Sequence, residues 1–180
     1  GVDFLFLPAD NFSLQEGSNT ITDIHWTGFY AFDNKVQPVD DFTVYIFADG
    51  AGATSGGPLY TLTDDVQSTD NGTDAFGVYP EYEYVMNIDP LELTAGTSYW
   101  IAILNDVTFP GKGAPLPDVW FWSFSGVQGG DAHQKLVTAW IDADAEMAFE
   151  LTNDGVVPEP ATLTLLGLGL VGIAARRKLF

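Results

Sequence analysis

Polar and apolar residues alternate with a period of two in several short stretches of this chain. In residues 21–30, Ile24 and Trp26 fall on one side of the alternation, and Asp23 and His25 fall on the other. Successive side chains of an extended strand point to opposite faces of its sheet. The pattern therefore predicts a strand with one buried face and one face in solvent.

Residues 42–48 have the same period, but here both sets of alternate positions are apolar or aromatic. Val44 and Ile46 form one set, and Tyr45 and Phe47 form the other. We expect the first set to face the core. The second set then points away from the core, so its aromatic surface is either exposed or covered by a partner.

Seven further runs complete the predicted set of strands. Residues 98–104 are nearly all apolar, which is typical of a central strand buried on both faces. Proline lacks the backbone N–H that a sheet ladder uses, so Pro8 and Pro90 are expected to end their strands. The polar residues 64–77 are predicted to form a loop. The seven runs are residues 2–7, 59–63, 82–88, 98–104, 120–125, 136–141 and 147–151.

These eight or nine short strands alternate with turns rich in Gly and Pro, and no helical period occurs before Pro160. Such a pattern is typical of an all-β protein, an antiparallel β-sandwich of jelly-roll type. A chain of 180 residues with 46% apolar residues can bury one core. We therefore expect one β-sandwich domain at residues 1–155 and a tail at residues 156–180 with a C-terminal hydrophobic α-helix.

The tail has three parts in a fixed order. Pro158-Glu159-Pro160 is a rigid break, the apolar run 161–175 carries no charge, and Arg176-Arg177-Lys178 is a basic cluster. A helix over the apolar run would span about 22 Å, against a hydrocarbon core of about 30 Å. The run is therefore short for a permanent membrane span, and the basic cluster would hold its end on the cytoplasmic side.

The sequence VPEPATLTLLGLGLVGIAARRK at residues 157–178 resembles the sorting tail of PEP-CTERM proteins, a group of exported bacterial surface proteins. The resemblance implies that an exosortase handles the chain during export. It also implies delivery to the cell surface or extracellular matrix of a Gram-negative-type bacterium. The implied sorting residues are Pro158, Glu159, Pro160, Arg176, Arg177 and Lys178. The stretches ITDIHWTGFY, VDDFTVYIFADGAG and LTAGTSYWIAI are similar to the β-sandwich found in many members of the group.

The apolar run has no polar face, and a helix that is hydrophobic all round is covered by lipid or by other helices. It would enter the membrane transiently during sorting, or it would act as an assembly helix that packs against the same helix of other copies. We expect the second arrangement to produce a homo-oligomer or a filament. The expected assembly contacts are Leu163, Leu166, Gly169, Leu170, Gly172 and Ile173.

The body of the protein is strongly acidic. The residues before Pro158 hold 24 of the 25 Asp and Glu residues but three of the six Lys and Arg residues, which gives a net charge of −21. Such a surface repels nucleic acid, so nucleic-acid binding is excluded. The chain contains no cysteine, and we expect that a secretory signal peptide preceded Gly1.

Oxygen-bearing side chains cluster around a glycine in Asp70-Asn71-Gly72-Thr73-Asp74. Asp70, Asn71 and Asp74 offer the hard oxygen atoms that Ca²⁺ binds, although their order differs from that of an EF-hand. Asp and Asn also favour turns, because their side chains cap nearby backbone N–H groups. We expect no cofactor, with calcium at this segment as the one candidate and an ordinary turn as the alternative.

Aromatic residues are more numerous than one core needs. Exposed rings can stack on sugars or pack against another subunit, whereas buried rings fill the core. Alternation also predicts that Phe121 points away from its neighbours in the run 120–125. The candidates for contact with a sugar or a partner are Tyr45, Phe47, Trp100, Trp120, Trp122 and Trp140.

Signals for catalysis are weak. The only histidines are His25 and His133, and no Gly-x-Ser-x-Gly nucleophile motif is present. Glu81 and Glu83 project from one predicted strand face, where a solvated surface explains them. We therefore expect a non-enzymatic surface or matrix protein that self-associates through its C-terminal helix and its sandwich surfaces. The alternative is a carbohydrate-binding module that retains exopolysaccharide through exposed aromatic rings.

Overall fold

The computed structural model describes residues 6–31, 40–50, 56–105, 119–128, 132–136, 139–142 and 144–153. The regular elements within these ranges are all β-strands. Their bounds are β1 Phe6–Ser13, β2 Thr20–Ala31, β3 Phe42–Ala48, β4 Tyr60–Leu62, β5 Val66–Ala75, β6 Tyr79–Glu92, β7 Ser98–Asn105, β8 Val119–Trp122, β9 Phe124–Gln128, β10 His133–Leu136, β11 Ala139–Asp142, β12 Ala145–Met147 and β13 Phe149–Thr152.

Most of these strands belong to two antiparallel sheets. The six-stranded sheet has the order β11-β10-β1-β7-β3-β4, and the five-stranded sheet contains β13-β2-β6-β5 in order, with β8 also paired to β2. β9 and β12 form a small third sheet. The all-β, antiparallel prediction is confirmed. The jelly-roll type stays a prediction, and the predicted C-terminal helix lies outside the described residues.

The two large sheets enclose one hydrophobic core between them. Trp26 of β2 meets Phe42 of β3 edge to face with ring centroids 5.2 Å apart, and it stacks on Tyr84 of β6 at 5.6 Å. The inward positions predicted from the alternation of β2 and β3 are therefore the buried ones. Aliphatic side chains from both sheets fill the rest of this core: Ile21, Ile24, Val44, Ile46, Met86, Ile101 and Ile103.

The central strands of the six-stranded sheet are buried on their second face as well. β7 lies between β1 and β3, and most of its side chains are buried on both sides. This arrangement confirms the prediction of a central strand at residues 98–104. The second face holds a smaller apolar cluster of Leu7, Ala9, Tyr45, Phe47, Trp100 and Ala102.

Pro8 and Pro90, which are expected to end strands, lie inside them. β1 runs through Pro8, which pairs with β10, whereas the pairs of β1 with β7 begin only at Ala9. β6 runs through Pro90, next to the register shift between Ile21 and Asp23 of β2. A sheet tolerates proline where one side of a strand lacks a partner or where a bulge interrupts the ladder. The two predicted strand ends are therefore wrong.

The polar segment 64–77, predicted to be a loop, contains strand β5. β5 lies at the edge of the five-stranded sheet, and its residues 67–74 are exposed. A strand with no buried face needs no alternation of apolar and polar residues, so the sequence of β5 does not show the period of two that indicates a strand. Its polar and acidic side chains also discourage pairing with the edge of another sheet.

Three predicted strands are each divided in two. The runs 120–125 and 147–151 break at Ser123 and Ala148, around Thr27 of β2. Ser123 N donates to Thr27 O at 2.9 Å, Ala148 N donates to Ser123 O at 2.9 Å, and Thr27 N donates to Ala148 O at 3.2 Å. At this junction each of the two segments passes between the five-stranded sheet and the small sheet, although neither break contains a Gly or Pro. The run 136–141 is divided between the paired strands β10 and β11.

Candidate interaction surface

Most of the aromatic residues predicted to touch a sugar or a partner are buried within one copy of the chain. Tyr45, Phe47, Trp100 and Trp122 are between 4 and 8% exposed. The expectation that these four rings are open to a ligand is therefore wrong. Tyr45, Phe47 and Trp100 lie in the apolar cluster on the second face of the six-stranded sheet, and Trp122 lies in the core between the two large sheets. Trp120 is half-buried and packs against the core. The side chain of Trp140 lies outside the described residues.

The tryptophans that fill the core have structural contacts. Trp122 Nε1 donates to Ala148 O at 2.9 Å, and Trp100 Nε1 donates to Asp49 Oδ1 at 3.2 Å. The indole of Trp120 lies against the backbone of Gly28, where an added Cβ would be 2.5 Å from Nε1. The close approach of the Trp120 ring therefore leaves no room for a side chain at residue 28. The contacts of these three tryptophans stabilise the sandwich.

A different set of four aromatic residues lies on the outer face of the five-stranded sheet and in the adjoining turn, and two of the four are exposed. Phe29 stacks on Tyr79 at a centroid distance of 5.9 Å and on Phe121 at 5.6 Å, with 16° between the planes in both pairs. Phe76 meets Phe29 edge to face at 5.7 Å. Phe29 is buried by these neighbours, whereas Phe121 is 40% and Phe76 is 79% exposed. We call Phe29, Phe76, Tyr79 and Phe121 the aromatic patch.

The register of three strands assembles this patch. Phe29 lies directly opposite Phe121 in the β2–β8 ladder and opposite Glu81 in the β2–β6 ladder, so Tyr79 is its diagonal neighbour. Side chains at such positions on one face of a sheet contact each other. The predicted outward direction of Phe121 is confirmed. Val78 and Val119, both exposed, extend the apolar surface.

The backbone at Phe76 suits Asn or Gly better than an aromatic residue. Val78 N donates to Ala75 O at 3.0 Å, and the two residues between them have positive φ, 54° for Phe76 and 68° for Gly77. This pattern is typical of a type I′ turn, which favours Asn-Gly. A left-handed conformation costs a non-glycine residue roughly 1–2 kcal/mol. The chain thus holds an exposed ring at a strained position that turn chemistry does not explain.

Acidic and hydroxyl groups border the aromatic patch. Glu81 accepts hydrogen bonds from Ser123 Oγ at 2.6 Å and from Thr73 Oγ1 at 2.9 Å. The residues before Pro158 have a net charge of −21, so the face around the patch lies in a negative field. A partner that reaches this face is neutral or basic, or it binds where salt screens the repulsion.

The candidate calcium residues form a hydrogen-bonded turn. Asp70 Oδ1 accepts from Gly72 N at 2.8 Å, and Asn71 Oδ1 accepts from Thr73 N at 2.9 Å. Asp74 O accepts from Gly77 N at 3.1 Å in the following turn. Across the described ranges, no group of three or more His, Asp or Glu residues is placed to hold a metal ion. Turn chemistry accounts for the segment, and calcium binding stays a prediction.

The two histidines occupy separate sheets. His25 of β2 lies between two carboxylates, with Nε2 at 3.0 Å from Asp23 Oδ2 and Nδ1 at 3.7 Å from Glu83 Oε1. His133 of β10 meets the ring of Trp100 edge to face at 4.8 Å. They therefore do not form a common site.

Asp10 of β1 is fully buried. Its Oδ2 accepts from Met147 N at 2.7 Å, and its Oδ1 accepts from Asn11 N at 2.8 Å. Burial raises the pKa of Asp10 to about 6, and the nearby Glu146 also raises it, whereas the bonds from Met147 and Asn11 oppose the shift. Asp10 therefore joins β1 to β12 through a carboxyl group that titrates near pH 6.

The comparisons with known proteins concern the tail. A family model for the PEP-CTERM protein-sorting motif matches residues 156–178. These residues, and with them the predicted assembly helix, lie outside the part of the chain that the structure describes. Among the described residues there is no helix with the length and apolarity that a membrane span requires. Searches of curated proteins and of solved structures found no match. The match confirms that the chain carries a PEP-CTERM protein-sorting motif, which marks an exported, cell-surface-associated protein that an exosortase processes.

Proposed function

We propose that this protein is a non-enzymatic structural component of the bacterial cell surface or extracellular matrix. Its jelly-roll-type sandwich associates with other copies through the aromatic patch, and its C-terminal helix provides a second contact. The sorting motif supports export and surface association. The observation that carries the association is Phe76, a ring that is 79% exposed in a strained turn.

The exposed area of the patch sets the strength of the proposed contact. An aromatic side chain buries roughly 200 Å² when it is fully covered. Covering the exposed parts of Phe76 and Phe121 therefore removes about 240 Å² from water, worth roughly 6 kcal/mol per copy at about 25 cal/mol per Å². A symmetric contact doubles this gain, but association costs about 4–15 kcal/mol. The patch alone thus gives a weak, reversible contact.

A weak contact becomes effective when a second contact links the same copies. Two linked contacts raise the overall affinity by about 10²–10⁴ over either one, because the second forms at a high effective concentration. The C-terminal helix, apolar from residue 161 to residue 175, supplies the second contact in our proposal. Copies that keep the tail would therefore associate although the patch alone is too weak to hold them together.

Sedimentation of patch variants tests the proposal. Phe76→Asn removes the ring and introduces the residue that the turn prefers, so the fold is retained. Phe121→Ser removes the second exposed ring. Phe124→Ser is the matched control, because Phe124 is 57% exposed but lies on β9, outside the patch. We expect both patch variants to shift towards monomer and the control to match the wild type. Equal association of all four proteins would refute the role of the patch.

A second function, retention of a neutral polysaccharide, is supported by the exposed rings of Phe76 and Phe121. Sugar rings stack on aromatic faces, and the Glu81 carboxylate beside them can accept hydrogen bonds from hydroxyl groups. The negative body disfavours anionic polymers. Affinity electrophoresis distinguishes this function: a neutral glucan in the gel should retard the wild type but not Phe121→Ser, and alginate should retard neither. Unchanged mobility of the wild type in neutral glucan would exclude it.

A further inference from the structure

The turn within β5 places reactive groups around one asparagine. Asn71 is followed by Gly72, which has no side chain to shield its backbone nitrogen and has a φ of 77°. Asp70 Oδ1 accepts the Gly72 N–H at 2.8 Å. Thr73 donates to Asn71 Oδ1 from both N at 2.9 Å and Oγ1 at 2.7 Å. Four consecutive residues therefore contain an amide nucleophile, a carboxylate base and a polarised side-chain carbonyl.

Each of these hydrogen bonds acts on an atom that gains or loses charge when the Gly72 nitrogen attacks Asn71 Cγ. The Asp70 carboxylate is in position to take the proton from the attacking nitrogen, as a general base does. The two donors of Thr73 point at the oxygen that becomes negative in the tetrahedral intermediate, as in an oxyanion hole. The hydrogen bonds of the turn are therefore the ones that cyclisation of Asn71 needs.

We propose that Asn71-Gly72 is a self-modification site, at which the folded chain accelerates the loss of ammonia from Asn71. The bond between Gly72 N and Asn71 Cγ forms, the Cγ–Nδ2 bond breaks, and the proton of Gly72 N passes through Asp70 to the departing ammonia. The product is a succinimide ring. Water then opens the ring at either carbonyl and leaves aspartate or isoaspartate at position 71. The only reactant besides the protein is water.

The position of the turn in the sheet allows this reaction. Asn71 is exposed on the edge strand β5, and the β5–β6 register shifts between Asp70 and Asp74, so the ladder is already interrupted there. The hydroxyl of Thr73 has one proton, which Asn71 Oδ1 shares with Glu81 Oε2 at 2.9 Å. The backbone N–H of Thr73 has no such competitor among these groups, and it remains the steadier donor to Asn71.

The reaction would change the edge strand. Isoaspartate adds a methylene group to the backbone at the bulge, and either product adds a carboxylate beside Asp70 and Glu81. The added methylene displaces the oxygen that accepts the Thr73 bonds, and the added charge is repelled by Asp70 and Glu81. Because Phe76 follows the same strand, the end of β5 that carries the exposed ring is expected to loosen as the protein ages.

Mass spectrometry of the full chain tests this site. Peptides covering residue 71 are followed at neutral pH, first for the mass loss of ammonia and then for the conversion of amide to acid. The folded chain is compared with the same chain held unfolded in urea. We expect cyclisation to be about tenfold faster in the folded chain, a smaller effect than the ~100-fold of one donor in a buried oxyanion hole, because this site is open to water. An equal or slower rate in the folded chain would overturn the proposal.

Variants assign the rate to the named groups. Asp70→Ala should slow the folded chain towards the unfolded rate. Thr73→Ala should slow it by a smaller factor, because the backbone N–H of residue 73 still donates to Asn71 Oδ1, and Thr73→Ser should retain the wild-type rate because it keeps the hydroxyl. Thr69→Ala, an exposed change two residues before Asn71, is the control. Thermal melting verifies that each variant is folded. A folded-state rate that neither Asp70→Ala nor Thr73→Ala alters would refute the catalytic arrangement.

Discussion

Replacing Asp10 by Asn removes a buried charge and keeps the shape of the side chain. The carboxylate of Asp10 accepts two backbone hydrogen bonds, from Asn11 N and from Met147 N. An amide has one oxygen, so Asn can accept only one of the two bonds. Asp10→Asn therefore exchanges the cost of a desolvated charge near Glu146 for the loss of one hydrogen bond.

The raised pKa of Asp10 determines the direction and the size of the change in unfolding free energy with pH. The folded-state value is about 6, against an ordinary value of 3.8. Below the ordinary value, both the folded and the unfolded chain hold the proton, and Asp10 does not oppose folding. Between 3.8 and about 6 the unfolded chain releases this proton while the folded chain retains it, so stability falls as the pH rises through this window and falls no further above about 6. A shift of about two units corresponds to roughly 3 kcal/mol.

Urea unfolding between about pH 4 and pH 8 measures this loss. We expect the wild type to lose roughly 3 kcal/mol of unfolding free energy relative to Asp10→Asn across this interval. Asp64→Asn, which changes an exposed carboxylate, controls for the general repulsion of the acidic body and should run parallel to the wild type. Parallel curves for the wild type and Asp10→Asn would refute a raised pKa at Asp10.

Four further predictions follow from the fold and the patch. Gly28→Ala should destabilise the protein by about 1–3 kcal/mol, because its Cβ would lie 2.5 Å from the indole of Trp120; an unchanged melting temperature would show that the ring moves away freely. Tyr30→Phe removes the hydroxyl that accepts Asn105 Nδ2 at 2.7 Å, and urea unfolding should detect a loss of about 1–3 kcal/mol, whereas no loss would mean that water replaces the bond. Phe76→Asn should raise the unfolding free energy by about 1 kcal/mol through relief of the left-handed strain, and a decrease would show that the ring contact with Phe29 outweighs the strain. Self-association, measured by light scattering, should strengthen as salt rises to physiological ionic strength, because the Debye length falls to about 8 Å; association that weakens with salt would point to ion pairs instead.

The sequence predicted the strands that have one buried face or two. Burial of one face requires Ile24 and Trp26 of β2 to alternate with polar residues, and burial of both faces requires the continuous apolar run of β7, so both patterns are visible in the sequence. β5 has no buried face, so its sequence lacks the alternation of apolar and polar residues that would predict a strand. The breaks at Ser123 and Ala148 arise from three-way backbone bonding around Thr27, which no local residue type signals.

The sequence identified the sorting motif but placed the aromatic surface on the wrong residues. It predicted correctly that Tyr45 and Phe47 point away from the main core, yet it could not reveal that their side of the sheet is covered too. Phe76 was missed because it lies in a turn, where alternation does not apply. The exposure of Phe76 depends on the positive φ of Phe76 and Gly77. In the local sequence, only Gly77, which follows a segment rich in Asp, indicates this turn.

The central claim is that exported copies associate through the aromatic patch together with the tail. Sedimentation equilibrium of four proteins tests it most directly: the full chain and the Phe76→Asn/Phe121→Ser double variant, each with and without residues 158–180. We predict that the double variant and the tail deletion each weaken association at least tenfold, and that the combination is monomeric. Undiminished association of the double variant, with the tail present and with it removed, would contradict the claim.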